Sequence, residues 1–101
     1  MKLVYRPLFL ADVTEIAGYL ASEAGEPVAA QWYQALKNTL GQMAKNPKIG
    51  RLRHDLPAEE IRSLNLRKFP NYLVFYRLQG DAIELLRIRH GMMNLPGLFL
   101  N

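Results

Sequence analysis

A connection of only two residues between two amphipathic segments constrains this fold more than any other feature of the sequence. From residue 8 to about residue 24, apolar side chains recur at helical three- and four-residue spacing, and the same spacing predicts a second helix from about residue 27 to Asn46-Pro47. Because only Gly25 and Glu26 separate these segments, the two helices must fold back on each other as an antiparallel hairpin. The hairpin presents one apolar stripe, which the remainder of the chain has to cover.

Four strand-like segments supply that cover. Residues 1–5 predict a short first strand, which Pro7 ends. After a basic loop at 48–60, three further strands are predicted, namely 61–69, 72–79 and 82–90. Pro70-Asn71 and Gly80-Asp81 are the expected turns between them. The sequence therefore predicts an α+β domain of element order βααβββ, with the helical hairpin packed on one face of a small, mainly antiparallel sheet.

The second face of this sheet has no evident cover. The strand at 72–79 is apolar at both odd and even positions, which predicts that both faces of the sheet are at least partly buried. One helical hairpin covers only one face, so the other is expected to form a partner surface or a cleft. The tail from Gly91 to Asn101 is apolar without clear periodicity and is expected to pack against a surface that the sequence does not identify.

Length and composition exclude several classes of protein. The chain has 101 residues, which predicts one domain spanning 1–101, and half of its residues are apolar, as in ordinary globular proteins. It contains no cysteine, so disulfide frameworks, thiolate zinc sites and cysteine nucleophiles are excluded. No apolar stretch approaches the roughly 20 residues of a membrane span, and the start lacks a signal-peptide core. We therefore expect a cytoplasmic protein that does not bind a membrane.

The positive charge belongs to the second half of the chain. After Asn46, nine basic side chains face five acidic ones, which accounts for the whole formal charge of +4, whereas the first 46 residues are neutral. Such a concentration of arginine suits either a phosphate backbone or an acidic protein partner. A solvated basic face without any partner is the alternative.

Candidate chemistry is confined to arginine and histidine. The glycines form no nucleotide-binding loop, and His54 and His90 lack the spacing of a helical metal site, so no cofactor and no metal are expected. A metal-free ribonuclease needs a base, an acid and cations that stabilise a phosphorane-like charge. Side chains of these types lie on the predicted strands: Arg62, Arg77, Arg87 and His90.

Strand alternation weighs against a single cleft for these residues. Along the last strand, Arg87 and Arg89 have the same parity as Leu85, whereas His90 has the opposite parity. They therefore cannot line one face unless a β-bulge intervenes. For Arg62 and Arg77, the alternative role is an ion pair with Glu84 or Asp81, and for His90 it is a hydrogen bond to the nearby backbone.

Five short motifs follow one another along nearly the whole chain. They are Ala11-Asp12-Val13-x-x-Ile16-x-x-Tyr19-Leu20, Met43-Ala44-Lys45-Asn46-Pro47-x-x-Gly50, Ile61-Arg62, Tyr72-Leu73-Val74-Phe75-Tyr76-Arg77 and Leu85-Leu86-Arg87-Ile88-Arg89-His90-Gly91. In this order and spacing they resemble the ParE/RelE superfamily of toxins from type II toxin-antitoxin systems. The resemblance implies a βααβββ fold and a toxic activity that a co-expressed antitoxin silences.

The resemblance also implies a protein partner, because the antitoxin is usually an acidic or amphipathic segment that wraps the toxin. The basic second half and the expected uncovered sheet face suit such a segment, which would fold on that surface. Operator DNA is expected to be bound only through the antitoxin. The expected antitoxin-binding residues are Arg51, Arg53, Arg62, Tyr72, Phe75, Arg77, Arg87 and Arg89.

Two activities divide the superfamily, and the end of the last strand helps to distinguish them. RelE-like members cleave mRNA on the ribosome with several basic residues and a Tyr or His-Tyr in this region, whereas ParE-like members inhibit DNA gyrase and block replication. Here His90 matches the histidine, but Gly91-Met92-Met93 follows it and no tyrosine occurs after Tyr76. The acid-base set is therefore incomplete, and the resemblance favours the ParE-like branch with DNA gyrase as the target.

In the ParE-like branch, the apolar tail would contact the target. The expected target-binding residues are Met92, Met93, Leu95, Leu98 and Phe99. ParE relatives commonly carry a basic residue where Met92 and Met93 stand, so this sequence departs from the family there. Two alternatives stay open: a ribosome-dependent mRNA endonuclease, and a degenerate, non-toxic protein that binds its antitoxin as a corepressor.

Overall fold

Five strands and two helices make up residues 1–91 and Phe99, the part of the chain that the computed structural model describes. In chain order they are β1 (Lys2–Tyr5), α1 (Pro7–Ala24), α2 (Glu26–Lys45), β2 (Arg51–Leu52), β3 (Arg62–Leu66), β4 (Phe69–Gln79) and β5 (Ala82–His90). The predicted α+β class is confirmed. The structure adds the short strand β2, which lies within the segment predicted as an irregular loop and pairs with β3.

Proline and glycine set the ends of both helices. Pro7 lies in the first turn of α1. Backbone N–H groups in the first turn make no intrahelical hydrogen bond, so the absence of an N–H on proline costs nothing there. Gly25 is both the C-cap of α1 and the N-cap of α2, and its φ of 99° is one that other residues rarely adopt. Helix α2 ends just before Asn46-Pro47, as predicted. The predicted helices agree with the observed ones to within about one residue at each end.

The sheet is mixed, with the strand order β1-β5-β4-β3-β2. Strand β1 runs parallel to β5, with Lys2 opposite Ala82 and Tyr5 opposite Leu85, and the other neighbouring pairs are antiparallel. A parallel pair needs a long crossover, which the rest of the chain supplies between these two strands. The helical hairpin packs on one face of the sheet and places α1 against β5.

The turn between β3 and β4 lies three residues before its predicted position. Leu66 pairs with Phe69, so Arg67-Lys68 forms the turn, and Lys68 has a φ of 71°. Pro70 lies within β4, beside an irregularity in the register with β3. The predicted turn at Pro70-Asn71 is therefore wrong, because pairing of the apolar residues Leu66 and Phe69 outweighs the local turn preference.

The main core lies between the helical hairpin and the sheet. Its large, almost completely buried side chains include Phe9, Trp32, Met43, Tyr76 and Leu85. Full burial of an apolar side chain of this size contributes roughly 1.5–3 kcal/mol. The hairpin and the sheet therefore stabilise each other, which fixes the strands that carry the candidate site residues.

A smaller group of apolar residues, the second-face cluster, covers part of the opposite face. Phe75 is completely buried there beneath Leu56 and Ile61, which belong to the segment between β2 and β3. Phe99 packs against the same cluster, and its ring meets that of Phe75 edge to face with 5.5 Å between the centroids. The expectation of an uncovered face is therefore wrong around Phe75, because a loop without helical or strand periodicity folds across it.

Candidate functional site

The two arginines near the end of β5 converge on one buried carboxylate. Asp12 of α1 is only 3% exposed and accepts two hydrogen bonds from Arg87, Nε to Oδ2 at 2.7 Å and Nη2 to Oδ1 at 3.0 Å. Arg89 Nη1 donates to Oδ1 at 3.0 Å, and the backbone N–H of Ile88 donates to Oδ2 at 3.1 Å. The hydrogen bond to Asp12 raises the pKa of Arg87. Both arginines therefore fasten α1 to β5.

A β-bulge in β5 determines where these arginines lie. Pairing with β4 skips Leu86, so that Leu85 and Arg87 lie opposite consecutive residues of β4. After the bulge, Ile88 rejoins Leu85 in the main core, and Arg87 and Arg89 fall on the opposite parity. The expectation that these arginines share a face with Leu85 is therefore wrong, because the strand alternation is interrupted at one residue.

His90 lies in a groove between the sheet and α1. Its ring meets Tyr72 edge to face at 5.3 Å between centroids, and Tyr72 meets Trp32 in the same way at 5.8 Å. The groove has a volume of about 330 Å³, and its lining residues are Glu15, Ile16, Tyr19, Tyr72, Arg89 and His90. Tyr72, expected to bind an antitoxin, thus packs on the hairpin side of the sheet, away from the second-face cluster.

Arg62 and Tyr76 anchor the loop that follows α2. The Tyr76 hydroxyl accepts a hydrogen bond from the Gly50 N–H and donates one to the Pro47 carbonyl, both at 2.8 Å. Arg62 Nη1 donates to the Gly50 carbonyl at 2.8 Å. A Cβ on Gly50 would lie 2.5 Å from the Tyr76 hydroxyl oxygen, so only glycine fits. Burial raises the pKa of Tyr76. The hydrogen bonds of Tyr76 to Pro47 and Gly50 explain the Asn46-Pro47-x-x-Gly50 motif in structural terms.

Arg53 is held inside the loop between β2 and β3. Its Nε and Nη2 donate to the two carboxylate oxygens of Asp55 at 2.9 and 2.6 Å, and Nη1 donates to Ser63 Oγ at 3.2 Å. Its guanidinium lies over the Phe75 ring, 5.7 Å from the centroid. The hydrogen bonds from Arg53 lower the pKa of Asp55 to about 2. Arg53 thus supports the second-face cluster, whereas Arg51 is exposed on the outer strand β2.

A groove rimmed by arginines adjoins the second-face cluster. Arg77 Nε donates to Glu84 Oε1 at 2.6 Å, which is the ion pair weighed above as an alternative, and Arg6 lies 3.5 Å from the same carboxylate. The side chains of Arg77 and Arg6 remain 40% and 54% exposed. Leu86 and Phe99 contribute the apolar lining of this groove, whose volume is about 400 Å³. Two exposed cations that share one carboxylate, next to an apolar groove lining, can bind an acidic, amphipathic segment.

The four candidate nuclease residues are spread over the sheet. Arg62 and His90 lie opposite residues four positions apart along β4, which corresponds to about 13 Å. Arg77 and Arg87 lie near the arginine-rimmed groove, and each is bonded to a carboxylate. The fold therefore brings together Arg77 with Arg87, and Arg89 with His90, but not the complete set.

Most of the tail residues expected to bind a target lie outside the described residues: Met92, Met93, Leu95 and Leu98. Phe99 is described, and it packs on the second-face cluster. Within residues 1–91 and 99, no three His, Asp or Glu side chains are grouped closely enough to hold a metal ion. Neither of the two described helices has the length and hydropathy needed to cross a membrane.

Asp12 is the important residue that sequence reasoning missed. It lies between Phe9 and Ile16, on the stripe of α1 that faces the core. A carboxylate within an apolar stripe signals a buried partner, because burying an unpaired charge is costly. That signal was available in the sequence, but the partners Arg87 and Arg89 are 75 and 77 residues further along the chain.

Comparison with known proteins agrees with this fold. The family model for the ParE toxin of the type II toxin-antitoxin system, parDE, matches residues 3–95. A solved structure described as the chromosomal ParDE TA system from P. aeruginosa is similar, with a TM-score of 0.75 and 21% sequence identity over 89% of this chain and 95% of that chain. A search of curated proteins finds no significant match. The chain belongs to the ParE toxin family of type II toxin-antitoxin systems.

Proposed function

We propose that this protein is a toxin that inhibits DNA gyrase and so blocks replication until a cognate antitoxin neutralises it. Membership of the ParE family supports the toxin role and the antitoxin partner. The choice of target rests on one observation: two of the three candidate nuclease arginines are engaged in holding the fold. Arg87 is bonded to Asp12, and Arg62 is bonded to the loop after α2. A gyrase inhibitor needs a binding surface and no acid-base set of its own, and it would act in the cytoplasm.

Supercoiling of relaxed plasmid by purified gyrase tests this proposal. The protein is titrated into the reaction, and supercoiled, relaxed and cleaved plasmid are quantified together. We expect loss of supercoiling and accumulation of cleaved DNA, both relieved by the antitoxin. Unimpeded supercoiling in the presence of folded protein would contradict the proposal.

The arginine-rimmed groove is the proposed antitoxin site. An acidic segment would pair with Arg77 and Arg6 while its apolar side chains contact Leu86 and Phe99. The exposed cation Arg51 on the edge strand β2 is a second proposed contact for the antitoxin. Operator DNA would then be recruited through the antitoxin.

Charge reversal at exposed positions tests this site. We expect Arg77→Glu and Arg51→Glu each to weaken antitoxin binding by roughly ten-fold or more and to make it less sensitive to salt. Arg53 is unsuitable for this purpose, because it is buried and its loss would disturb Phe75. Titration calorimetry that gives unchanged affinity for both variants would move the antitoxin to another surface.

One observation favours a second candidate, a ribosome-dependent mRNA endonuclease. The groove at His90 is lined by two tyrosines, Tyr19 and Tyr72, together with Glu15. These groups are of the types that general acid-base catalysis uses, and the sequence supplies none of them after His90. Cleavage of ribosome-bound mRNA that is lost in His90→Gln and Tyr72→Phe would establish this alternative. Inactivity in both assays, with antitoxin binding retained, would identify a non-toxic corepressor.

A further inference from the structure

Beyond Glu26 in its first turn, the exposed side of α2 carries lysines and amides but no acidic residue. From residue 27 to residue 54 the sequence contains neither Asp nor Glu. Five exposed residues of α2 fall within about 100° of the helix circumference, because an α-helix has 3.6 residues per turn. We call them the α2 face: Gln34, Lys37, Asn38, Gly41 and Lys45.

The charge of the α2 face is not neutralised. No residue of the described chain forms an ion pair with Lys37 or Lys45, whereas five arginines elsewhere do: Arg6, Arg53, Arg77, Arg87 and Arg89. Lys37 Nζ lies 5.5 Å from the centroid of the Tyr33 ring, and Gln34 Nε2 donates to Asn38 Oδ1 at 3.0 Å. The face is therefore a positively charged surface whose other groups are hydrogen-bonding amides.

We propose that the α2 face binds the phosphate backbone of duplex DNA directly. Lys37 and Lys45 are eight residues apart in the helix, which separates them by about 12 Å along its axis. The major groove of B-DNA is also about 12 Å wide, so the two ammonium groups can reach phosphates on opposite sides of the groove. Asn38 and Gln34 supply amide donors of the kind that contact phosphates.

Gly41 makes the approach of a DNA backbone possible. It lies between the two lysines, and no heavy atom of the described residues beyond the local helix backbone lies within 4 Å of the position its Cβ would take. The helix backbone is therefore uncovered at the centre of the α2 face. A phosphate can come closer to the helix here than at any position that carries a long side chain.

The composition of the α2 face favours DNA over an acidic protein. Protein interfaces derive most of their affinity from buried aromatic and aliphatic anchors. The α2 face contains none, and the exposed ring of Tyr33 lies beside it, 5.5 Å from Lys37 Nζ. Contacts to a DNA backbone are charged and polar, as these residues are. The proposal is independent of gyrase inhibition and adds a direct contact to the expected antitoxin-mediated binding of operator DNA.

Substitutions at Gly41 provide a matched test in the full chain. Gly41→Ala and Gly41→Glu both replace glycine inside an exposed helix by a better helix former, so both variants should fold at least as well as the wild type. Binding of a short labelled DNA duplex is measured by fluorescence anisotropy. We expect Gly41→Ala to keep the wild-type affinity and Gly41→Glu to lose roughly ten-fold or more, because it places a carboxylate among the phosphates.

The salt dependence of duplex binding tests the two lysines. Measured between about 50 and 200 mM salt, Lys37→Gln and Lys45→Gln should each reduce the slope of log affinity against log salt by about one. Arg6→Gln removes the same charge beside the arginine-rimmed groove, and it should leave the slope unchanged.

Four results would overturn the proposal. The first is that the wild-type protein does not bind the duplex, and the second is that the two Gly41 variants bind it with equal affinity. The third is that Arg6→Gln reduces the slope of log affinity against log salt as much as the lysine variants do. The fourth is that the protein binds poly-L-glutamate more tightly than the duplex. The last result would assign the α2 face to an acidic protein partner.

Discussion

Replacing Asp12 with alanine should be one of the most damaging single changes in this protein. The carboxylate is 3% exposed and accepts hydrogen bonds from Arg87, Arg89 and the Ile88 N–H. The substitution deprives two guanidinium groups, 16% and 12% exposed, of this carboxylate. It also removes the acceptor of a buried backbone N–H, and it releases α1 from β5.

The size of the effect follows from the burial of these charges. Removing one partner of a buried ion pair costs about 3–5 kcal/mol. Because Glu15 still lies 3.6 Å from Arg89, we expect the lower end of this range, about 3 kcal/mol. Small domains are stable by about 5–15 kcal/mol, so Asp12→Ala should remove a large fraction of the free energy of unfolding. In urea, with a slope of about 1–3 kcal/mol per molar, the unfolding midpoint should fall by about 1–3 M.

Two control variants separate charge from packing at this position. Asp12→Asn keeps the shape but removes the charge and turns an NH2 group towards two of the four donors, so its loss should stay close to that of Asp12→Ala, about 3 kcal/mol. A triple variant with leucine at positions 12, 87 and 89 should recover most of the stability, because apolar replacement of a buried ion pair is often neutral. An Asp12→Ala loss below about 1 kcal/mol, the value of a solvent-exposed pair, would refute the reasoning.

Three other changes have directions that the structure dictates. Gly50→Ala should destabilise by about 1–3 kcal/mol in thermal unfolding, because its Cβ would overlap the Tyr76 hydroxyl, and Tyr76→Phe in the same chain should relieve part of this loss. Asp55 has a folded pKa of about 2, below its ordinary 3.8. The stability that its pair with Arg53 contributes is therefore complete above about pH 4 and is lost as the pH falls towards 2. Asp55→Asn should flatten that part of the profile of stability against pH. Gly18→Ala should stabilise α1 by about 0.5–1 kcal/mol, because its Cβ would meet no atom of residues 1–91 or 99 within 4 Å apart from the local helix backbone; an unchanged melting temperature would contradict this.

The parts of the fold that depend on local signals could be predicted from the sequence. Pro7, Gly25 and Pro47 mark the helix ends because each restricts or frees the backbone at its own position. The apolar spacing between these markers identified which faces of the hairpin are buried. Helix boundaries, strand order along the chain and the hairpin were therefore accessible without coordinates.

The parts that depend on pairing over long distances could not be predicted. The bulge at Leu86 has no local signature, and it moves Arg87 and Arg89 to the face opposite Leu85. Strand alternation alone therefore placed these two arginines wrongly. The cover over Phe75 was missed for the same reason, because the loop that provides it has no periodicity of its own.

The candidate site was only partly accessible. Arginine and histidine are predicted from the sequence as the side chains that matter, and several of these arginines serve the fold. Arg53, Arg62 and Arg87 are bonded to groups within the chain, and their partners become evident only when the sheet is assembled. The exposed cations Arg51 and Arg77 remain the best candidates for contact with a partner.

Inhibition of gyrase by the wild-type protein and by His90→Gln, measured side by side, tests the central claim most directly. The account predicts that both proteins block supercoiling of relaxed plasmid at similar concentrations and that the antitoxin restores activity in both reactions. Circular dichroism would confirm that both proteins are folded. Full supercoiling in the presence of folded wild-type protein would contradict the account.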